Sequence, residues 1–125
     1  MVTGAEWADV TGDGNKDLII VGDWMAPRIF SYDNPSKHFR EIQNTNLEDL
    51  FGWWQLVTTA DINGDGRTDL LLGNIGKNFF LRPDANHPVK LYVGDFDQNG
   101  INDKVVTYTV DGKDKPVFLK HGKLN

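Results

Sequence analysis

Three nine-residue segments of this 125-residue chain align without gaps, and they constrain the fold more than any other feature. Each begins with Asp, carries Gly at its sixth position and ends with Asp at its ninth: Asp9–Asp17, Asp61–Asp69 and Asp95–Asp103. Asp is a poor helix former and a good turn residue, because its short carboxylate reaches back to its own loop. Repetition of this kind predicts one structural unit that is used three times.

Short apolar or β-branched runs follow the repeated segments. Leu18–Val21 and Leu70–Leu72 follow the first two, and Lys104–Val110 follows the third. Runs of this length and composition predict strands rather than helices. A hairpin predicted around Asp33–Lys37 gives the first repeat about four strands, which is the content of one propeller blade. The second repeat is shorter, so its outer strands are predicted to be missing or very short.

Oxygen-bearing side chains occupy the first, third, fifth and ninth positions of each segment. This pattern suits Ca²⁺, a hard cation that takes about six to eight oxygens at roughly 2.3–2.6 Å. Alternate residues of a tight loop point inward, and glycine at the sixth position allows a sharp turn at positive φ. The predicted ligands are these side chains together with the backbone carbonyl of the seventh position. They are Asp9, Thr11, Asp13, Asn15 and Asp17; Asp61, Asn63, Asp65, Arg67 and Asp69; and Asp95, Asp97, Asn99, Ile101 and Asp103.

Plain turns and other metal loops are the alternatives to this interpretation. Asp-Gly-rich strings often form turns without a metal, but three in one register, each with its ninth-position Asp, favour calcium. An EF-hand loop needs a bidentate Glu at position 12, where this chain has Ile20, Leu72 and Val106. Mg²⁺ fits poorly because it prefers rigid octahedra with several waters. We expect about three ions, with the first site weakest because Thr11 offers a neutral hydroxyl.

Composition excludes several classes of function. The net charge of −5 argues against nucleic-acid binding, which needs a basic surface. Nine of the fifteen Asp lie in the three segments, so the acidity belongs to sites rather than to a solvated surface. The absence of Cys excludes disulfides, thiolate zinc sites and a cysteine nucleophile. No apolar run approaches the roughly 18–20 residues that a membrane span needs.

Catalytic groups do not form a recognisable motif in the sequence. The three histidines are scattered and lie in no Ser-His-acid order, so they are predicted to be surface residues. The four tryptophans are predicted to fill the core between blades rather than to form a sugar-stacking platform. We therefore expect no enzymatic activity.

The three segments resemble the FG-GAP/VCBS-type repeats of integrin-like β-propellers, in which an Asp-x-Asp-x-Asp-Gly-x-x-Asp loop joins the first two strands of a blade. The stretch from Gly52-Trp53-Trp54 through Asp61 to Gly73-Asn74-Ile75-Gly76 is similar to the bacterial cell-surface branch of that family. The resemblance implies an all-β fragment of about two to three four-stranded β-propeller blades, with calcium loops between first and second strands. The repeats are expected at approximately residues 5–43, 53–82 and 89–120.

The resemblance also implies a function. It indicates a calcium-binding, non-catalytic propeller segment that serves as a scaffold or recognition surface for an unknown protein or glycan ligand. The expected setting is extracellular, at the cell surface or periplasmic, in a bacterium. The alternative is part of a carbohydrate-binding or carbohydrate-active propeller protein. An open fragment leaves an uncovered sheet face and unpaired edge strands, so self-association is expected.

Overall fold

The computed structural model describes residues 1–117, and the regular structure within them is entirely β-strand. The chain divides into two compact units, of which the first is Met1–Gly76 and the second begins at Lys77. Among the described residues, no helix has the length and apolar character needed to cross a membrane. The all-β fold expected from the sequence is confirmed.

The first repeat forms a four-stranded antiparallel meander in the order β1-β2-β3-β4. Its strands are β1 (Val2–Ala8), β2 (Asp17–Met25), β3 (Arg28–Asp33) and β4 (His38–Glu41). The β3–β4 hairpin closes where the Lys37 amide donates to the Asp33 carbonyl at 2.8 Å, with Lys37 at a φ of 57°. This is the four-stranded repeat that the sequence predicts.

The second repeat contributes two strands, β5 (Gly52–Ala60) and β6 (Asp69–Asn74). They pair with each other along their lengths. Residues 75–88 form turns and bends instead of strands, so the outer strands of this repeat are missing rather than short. The Pro-bounded stretch in this segment explains part of the loss, because proline cannot donate to a strand ladder.

Strand β2 belongs to both repeats. Its first residues pair with β1 and β3, and its last residues pair with β5, Asp23 opposite Trp53 and Met25 opposite Gly52. A register shift separates these two pairs and leaves Trp24 between them at a φ of 63°. A bulky residue rarely adopts this left-handed conformation. The Trp24 ring lies edge-on to Trp53, with centroids 5.3 Å apart, and this contact helps to hold the bulge.

The core of the first unit lies between the meander and the β5–β6 pair. Ile19 and Val21 of β2 are fully buried, and Ile29 and Val57 complete the buried cluster. Partly buried apolar side chains of both repeats pack around this cluster, among them Leu70 and Leu72 of β6. The alternation along β2 therefore sends Ile19 and Val21 toward the second repeat and Leu18 and Ile20 to the opposite face.

The second unit is a three-stranded antiparallel sheet in the order β7-β8-β9. Its strands are β7 (Val89–Gly94), β8 (Asp103–Val110) and β9 (Lys113–Pro116). Asp111 and Gly112 join β8 to β9 with φ angles of 52° and 71°, which is the two-residue turn of a tight hairpin. The end of the third expected repeat, residues 118–120, lies outside the described residues.

Asp114 ties the three strands of the second unit together on one face. Its carboxylate accepts hydrogen bonds from Thr109 on β8 and, on β7, from Lys90 Nζ at 2.9 Å and Tyr92 OH at 2.6 Å. These donors, the Thr109 hydroxyl foremost, hold the pKa of Asp114 well below its usual range. The cluster spans β7, β8 and β9, so it opposes slippage of one strand against another.

We expect the substitution Val21→Ala to lower the free energy of unfolding by about 2 kcal/mol or more. Two buried methyl groups are lost, and each contributes roughly 0.8 kcal/mol before the cost of the cavity is added. Val2→Ala is the matched control, because Val2 is 56% exposed and its truncation should cost no more than about 0.5 kcal/mol. Urea unfolding of both variants gives the comparison, and equal losses would show that the core is not where the structure places it.

Acid should destabilise the second unit through Asp114. The folded-state pKa of this group is depressed, so its stabilising contribution is complete above the unfolded value of about 3.8 and is lost as the pH falls toward the folded value. Carbon-detected NMR titration should therefore find Asp114 still ionised at pH 3. The variant Asp114→Asn should lower stability at neutral pH and flatten the acid limb of the stability curve.

Asp111→Asn is the control for this prediction. It removes a carboxylate from the neighbouring turn but keeps the Asp114 contacts, and Asn tolerates the left-handed conformation that the turn needs. An Asp114 titration at or above pH 3.8 would contradict the assignment of the three donors.

Candidate metal centres

The three repeated segments form loops at equivalent places, each joining the first strand of its repeat to the second. They connect β1 to β2, β5 to β6 and β7 to β8. At the base of each loop, the ninth-position Asp pairs with the residue that precedes the first-position Asp. These pairs are Ala8 with Asp17, Ala60 with Asp69 and Gly94 with Asp103. The loops therefore begin and end at the same point of the strand ladder in all three repeats.

One frame of hydrogen bonds recurs in the three loops, and the first-position Asp is at its centre. One oxygen of this carboxylate accepts the backbone amide of the sixth-position Gly, at 2.8, 2.9 and 2.8 Å in loops one to three. The seventh-position amide donates to the fifth-position side chain, at 2.8 Å in each loop. The fifth residue is Asp in two loops and Asn99 in the third, so an acceptor oxygen is needed there but a charge is not.

The ninth-position Asp closes the frame from the second strand. One of its oxygens accepts the amide of the second loop residue, with distances of 3.1 Å for Val10, 2.9 Å for Ile62 and 3.2 Å for Phe96. This bond spans the loop from end to end. The ninth-position Asp therefore holds the two strands together where the ladder stops, and its other oxygen remains for a further partner.

The sixth-position glycines lie at the positive φ predicted from the sequence, 85° for Gly14, 81° for Gly66 and 87° for Gly100. A Cβ at any of them would meet nothing within 4 Å, so the backbone angle and not crowding requires glycine. The fourth position is also left-handed, and there the third loop uses Gln98 at 60° in place of glycine. This second left-handed residue was not predicted.

The third loop brings three carboxylates together. Oxygens of Asp95, Asp97 and Asp103 all lie within 4.8 Å of one another. Atoms that each stand about 2.4 Å from one Ca²⁺ can be at most about 4.8 Å apart, so this spacing fits a shared ion. Among residues 1–117, no other group of three His, Cys, Asp or Glu side chains converges in this way. The predicted ligand Asn99 lies beside it and donates its side-chain amide to Asp97 at 2.9 Å.

The first loop contains a buried carboxylate oxygen that has no hydrogen-bond partner among the described residues. Asp17 is fully buried, and its Oδ2 accepts the amides of Val10 and Thr11 at 3.1 Å. Its Oδ1 is also buried and has no hydrogen-bond partner among the described residues. An unpartnered buried carboxylate oxygen is costly, and a bound cation is one way to satisfy it. The donor set of this loop thus fits a hard cation as well.

The second loop is more open. Asp61, Asp65 and Asp69 share the hydrogen-bond frame, but in the described structure their oxygens do not converge as those of the third loop do. The third-position ligand Asn63 donates its amide to Asp65 at 3.1 Å. Thr11 and Asp13 of the first loop, and the seventh-position residues Asn15, Arg67 and Ile101, are exposed on their loops.

The structure also assembles an exposed aromatic surface that the sequence did not reveal. Trp7 and Phe39 have ring centroids 5.7 Å apart, and those of Phe39 and Tyr32 lie 5.2 Å apart. Trp7 is 49% exposed, so among the described residues it does not lie in the core between the first and second repeats. The aromatic face, as we name it, consists of Trp7, Leu18, Ile20, Phe30, Tyr32 and Phe39.

Comparison with known proteins bears on these loops. The FG-GAP-like repeat family matches residues 9–72, which is just over half of the chain and contains the first two loops. No curated protein and no solved structure matches the chain. The FG-GAP repeat is a blade element of β-propellers, in agreement with the strands and loops described above. The chain therefore belongs to the FG-GAP-like repeat family.

Proposed function

We propose that the chain is a calcium-binding, non-catalytic segment of a β-propeller that acts as an extracellular scaffold or recognition surface. The observation that carries the proposal is the convergence of Asp95, Asp97 and Asp103 in a loop whose frame recurs twice more. Three carboxylates at this spacing repel one another, and a divalent cation would replace that repulsion with attraction. The buried, unpartnered oxygen of Asp17 supports the same proposal for the first loop.

Calcium would supply charge compensation in these loops. The backbone amides that donate to the first-position and ninth-position Asp residues fix the orientation of the carboxylates, as outer partners of a ligand do. Each carboxylate oxygen has two lone pairs, so a bond to an amide leaves capacity for an ion. The residues that would hold the ions are the fifteen predicted from the sequence.

The proposed setting follows from the metal and from the resemblance to the bacterial cell-surface branch. Extracellular calcium modules bind Ca²⁺ with dissociation constants of about 10⁻⁴ to 10⁻³ M, which suits loops as exposed as these. Calcium reaches such concentrations outside cells. The stretch from Gly52 to Gly76 carries the resemblance to the bacterial branch.

A sugar-binding propeller is the second candidate, and the aromatic face is the observation that favours it. Exposed aromatic rings can stack on sugars. The Trp7 and Phe39 rings are inclined at 57°, however, and those of Tyr32 and Phe39 at 62°. Rings inclined at these angles do not form a flat platform for a sugar, which favours a recognition surface for a protein over one for a glycan. A glycan-array screen separates the two candidates.

Among residues 1–117, one pair of a His and an acid is a candidate for an enzymatic role, and it lies in a turn. His87 Nδ1 is 3.0 Å from Asp84 Oδ1, and both side chains are partly exposed. The backbone amide of His87, foremost among several donors, lowers the pKa of Asp84. Asp84 thus acts as a turn acceptor in contact with water, which favours a structural role over catalysis.

Calorimetric titration with Ca²⁺ should find about three ions per chain. The variant Asp97→Asn should lower this number by one, because it removes one of the three converging carboxylates. Asp49→Asn is the control, since Asp49 is exposed and lies outside the three loops. Fewer than two ions, or equally strong binding of Mg²⁺, would contradict the proposal.

Thermal stability should follow calcium. At about 1 mM free Ca²⁺ and a dissociation constant of ~0.1 mM, mass action gives ~1.4 kcal/mol per site. The variant Asp65→Asn should lose most of one such contribution, while its melting temperature in EGTA stays unchanged or rises. Asn keeps the acceptor for the Arg67 amide, as Asn99 does for Ile101, but its NH2 group replaces the oxygen that accepts from Asn63, so the charge and that one hydrogen bond are removed. Identical wild-type melting curves in EGTA and in calcium would show that the loops are only turns.

A further inference from the structure

Asn stands directly before Gly at two places in the chain, and both places lie in the acidic loops. Asn63–Gly64 belongs to the second loop and Asn99–Gly100 to the third. All four residues are exposed, and a Cβ at either glycine would meet nothing within 4 Å. The side-chain amide of Asn can be attacked by the backbone nitrogen of the next residue, and glycine crowds that nitrogen least because it has no Cβ. The two pairs therefore have the local chemistry of deamidation.

Comparison of the loops shows what deamidation would produce. Asn99 is the fifth residue of its loop, where the other two loops have Asp13 and Asp65. Asn63 is the third residue of its loop, where the third loop has Asp97. Each reaction would thus create an acid that another loop already has at the same position. Together they would give the second and third loops the same four carboxylates, at positions one, three, five and nine.

The hydrogen-bond frame has the same place for the acid and for the amide. At the fifth position, Asn99 Oδ1 accepts the seventh-position amide at 2.8 Å, as Asp65 Oδ1 does in its own loop. At the third position, Asn63 Oδ1 accepts the fifth-position amide at 3.0 Å, as Asp97 Oδ1 does at 3.2 Å. Asp in place of either Asn would therefore keep the oxygen on which the loop depends.

The third loop also orients the groups that react. The Ile101 amide donates to Asn99 Oδ1, and such a donor stabilises the negative charge that this oxygen acquires when Cγ is attacked. The attacking nitrogen belongs to Gly100, whose amide donates to Asp95 Oδ2 at 2.8 Å. A hydrogen bond to a carboxylate draws electron density onto the donor nitrogen, which makes it a better nucleophile.

The second loop repeats this arrangement around Asn63. The Asp65 amide donates to Asn63 Oδ1, and the Gly64 amide donates to Asp61 Oδ1 at 2.7 Å. The electrophile and the nucleophile are thus held by equivalent partners in two loops of different sequence.

We propose that Asn63 and Asn99 are sites of spontaneous deamidation in the folded protein. The glycine nitrogen forms a bond to the Asn Cγ and loses its proton, and the bond from Cγ to Nδ2 breaks so that the side-chain nitrogen leaves as ammonia. One water molecule then opens the succinimide ring. Attack of water at Cγ gives Asp, and attack at the backbone carbonyl carbon gives isoaspartate.

The reaction does not require calcium, but its consequence for the loops rests on the proposed function. Asn99 Nδ2 donates to Asp97 at 2.9 Å, and Asn63 Nδ2 donates to Asp65 at 3.1 Å. Deamidation to Asp removes each of these donors and places a second negative charge beside a carboxylate. A divalent cation would be attracted more strongly by four carboxylates than by three. Deamidation would thus strengthen calcium binding in these two loops.

The test follows wild-type protein during incubation in mildly alkaline buffer that contains EGTA. Mass mapping of the peptides should show that Asn63 and Asn99 gain the mass that accompanies replacement of NH2 by OH. Ion-exchange chromatography should resolve two successively more acidic forms of the chain. Asn15 and Asn102 are internal controls, because they are also exposed loop residues but neither precedes a glycine, and both should stay unmodified.

Two variants assign the acidic forms. Asn63→Thr carries the residue that the first loop has at this position, Thr11, and cannot deamidate there, so it should give one acidic form. The double variant Asn63→Thr/Asn99→Asp should give none, and circular dichroism checks that both variants keep their β-structure. Folded wild type that retains both Asn residues, while the same protein in urea converts them, would overturn the inference. Failure of the loops to bind calcium would leave this result unchanged, because every sample contains EGTA.

Calorimetric titration of Asn99→Asp with Ca²⁺ tests the consequence separately. Tighter binding by the variant than by freshly purified wild type is the expected result. Equal affinities would overturn the effect of deamidation on the site, whereas absence of binding by both proteins would count against the proposed function itself.

Discussion

The bond between the ninth-position Asp and the amide at the start of its loop is the interaction on which each repeat depends. Asp17, Asp69 and Asp103 each belong to a strand and reach back across the loop to its second residue. The bond fixes the loop length and the point at which the strands pair. A Glu in its place would extend the side chain by one methylene and could not keep this geometry, which explains why the ninth position is Asp in all three loops.

The same frame of hydrogen bonds is compatible both with a plain turn and with a metal site in these loops. Every amide that donates to a loop carboxylate lowers the cost of placing several negative charges in a small volume. The loops can therefore take their shape before an ion arrives, and ion binding then costs less chain ordering. The buried Oδ1 of Asp17 has no such donor among the described residues, and under the proposed function a cation would be its partner.

The repeats, the loop positions and the sixth-position glycines could be predicted from the sequence, because local spacing determines them. Features that depend on contacts between strands distant in the sequence could not be predicted. Trp7 looked like a core residue because hydrophobicity alone does not say which face of β1 is covered. The role of Asp114 has no local signal, because its three donors come from residues 5 to 24 positions away. The bulge at Trp24 has no local signal, since the residue there is not glycine.

The sharing of β2 between two repeats determines how this chain can be divided. Its first half completes one meander, and its last residues, Asp23 and Met25, form the ladder that receives β5. A cut between Ile42 and Gly52 would leave that end of β2 without its neighbour and uncover Ile19 and Val21 at the same time. Duplication or loss of such repeats in a gene would therefore succeed most readily in pairs, with the boundary placed after β6 rather than after β4.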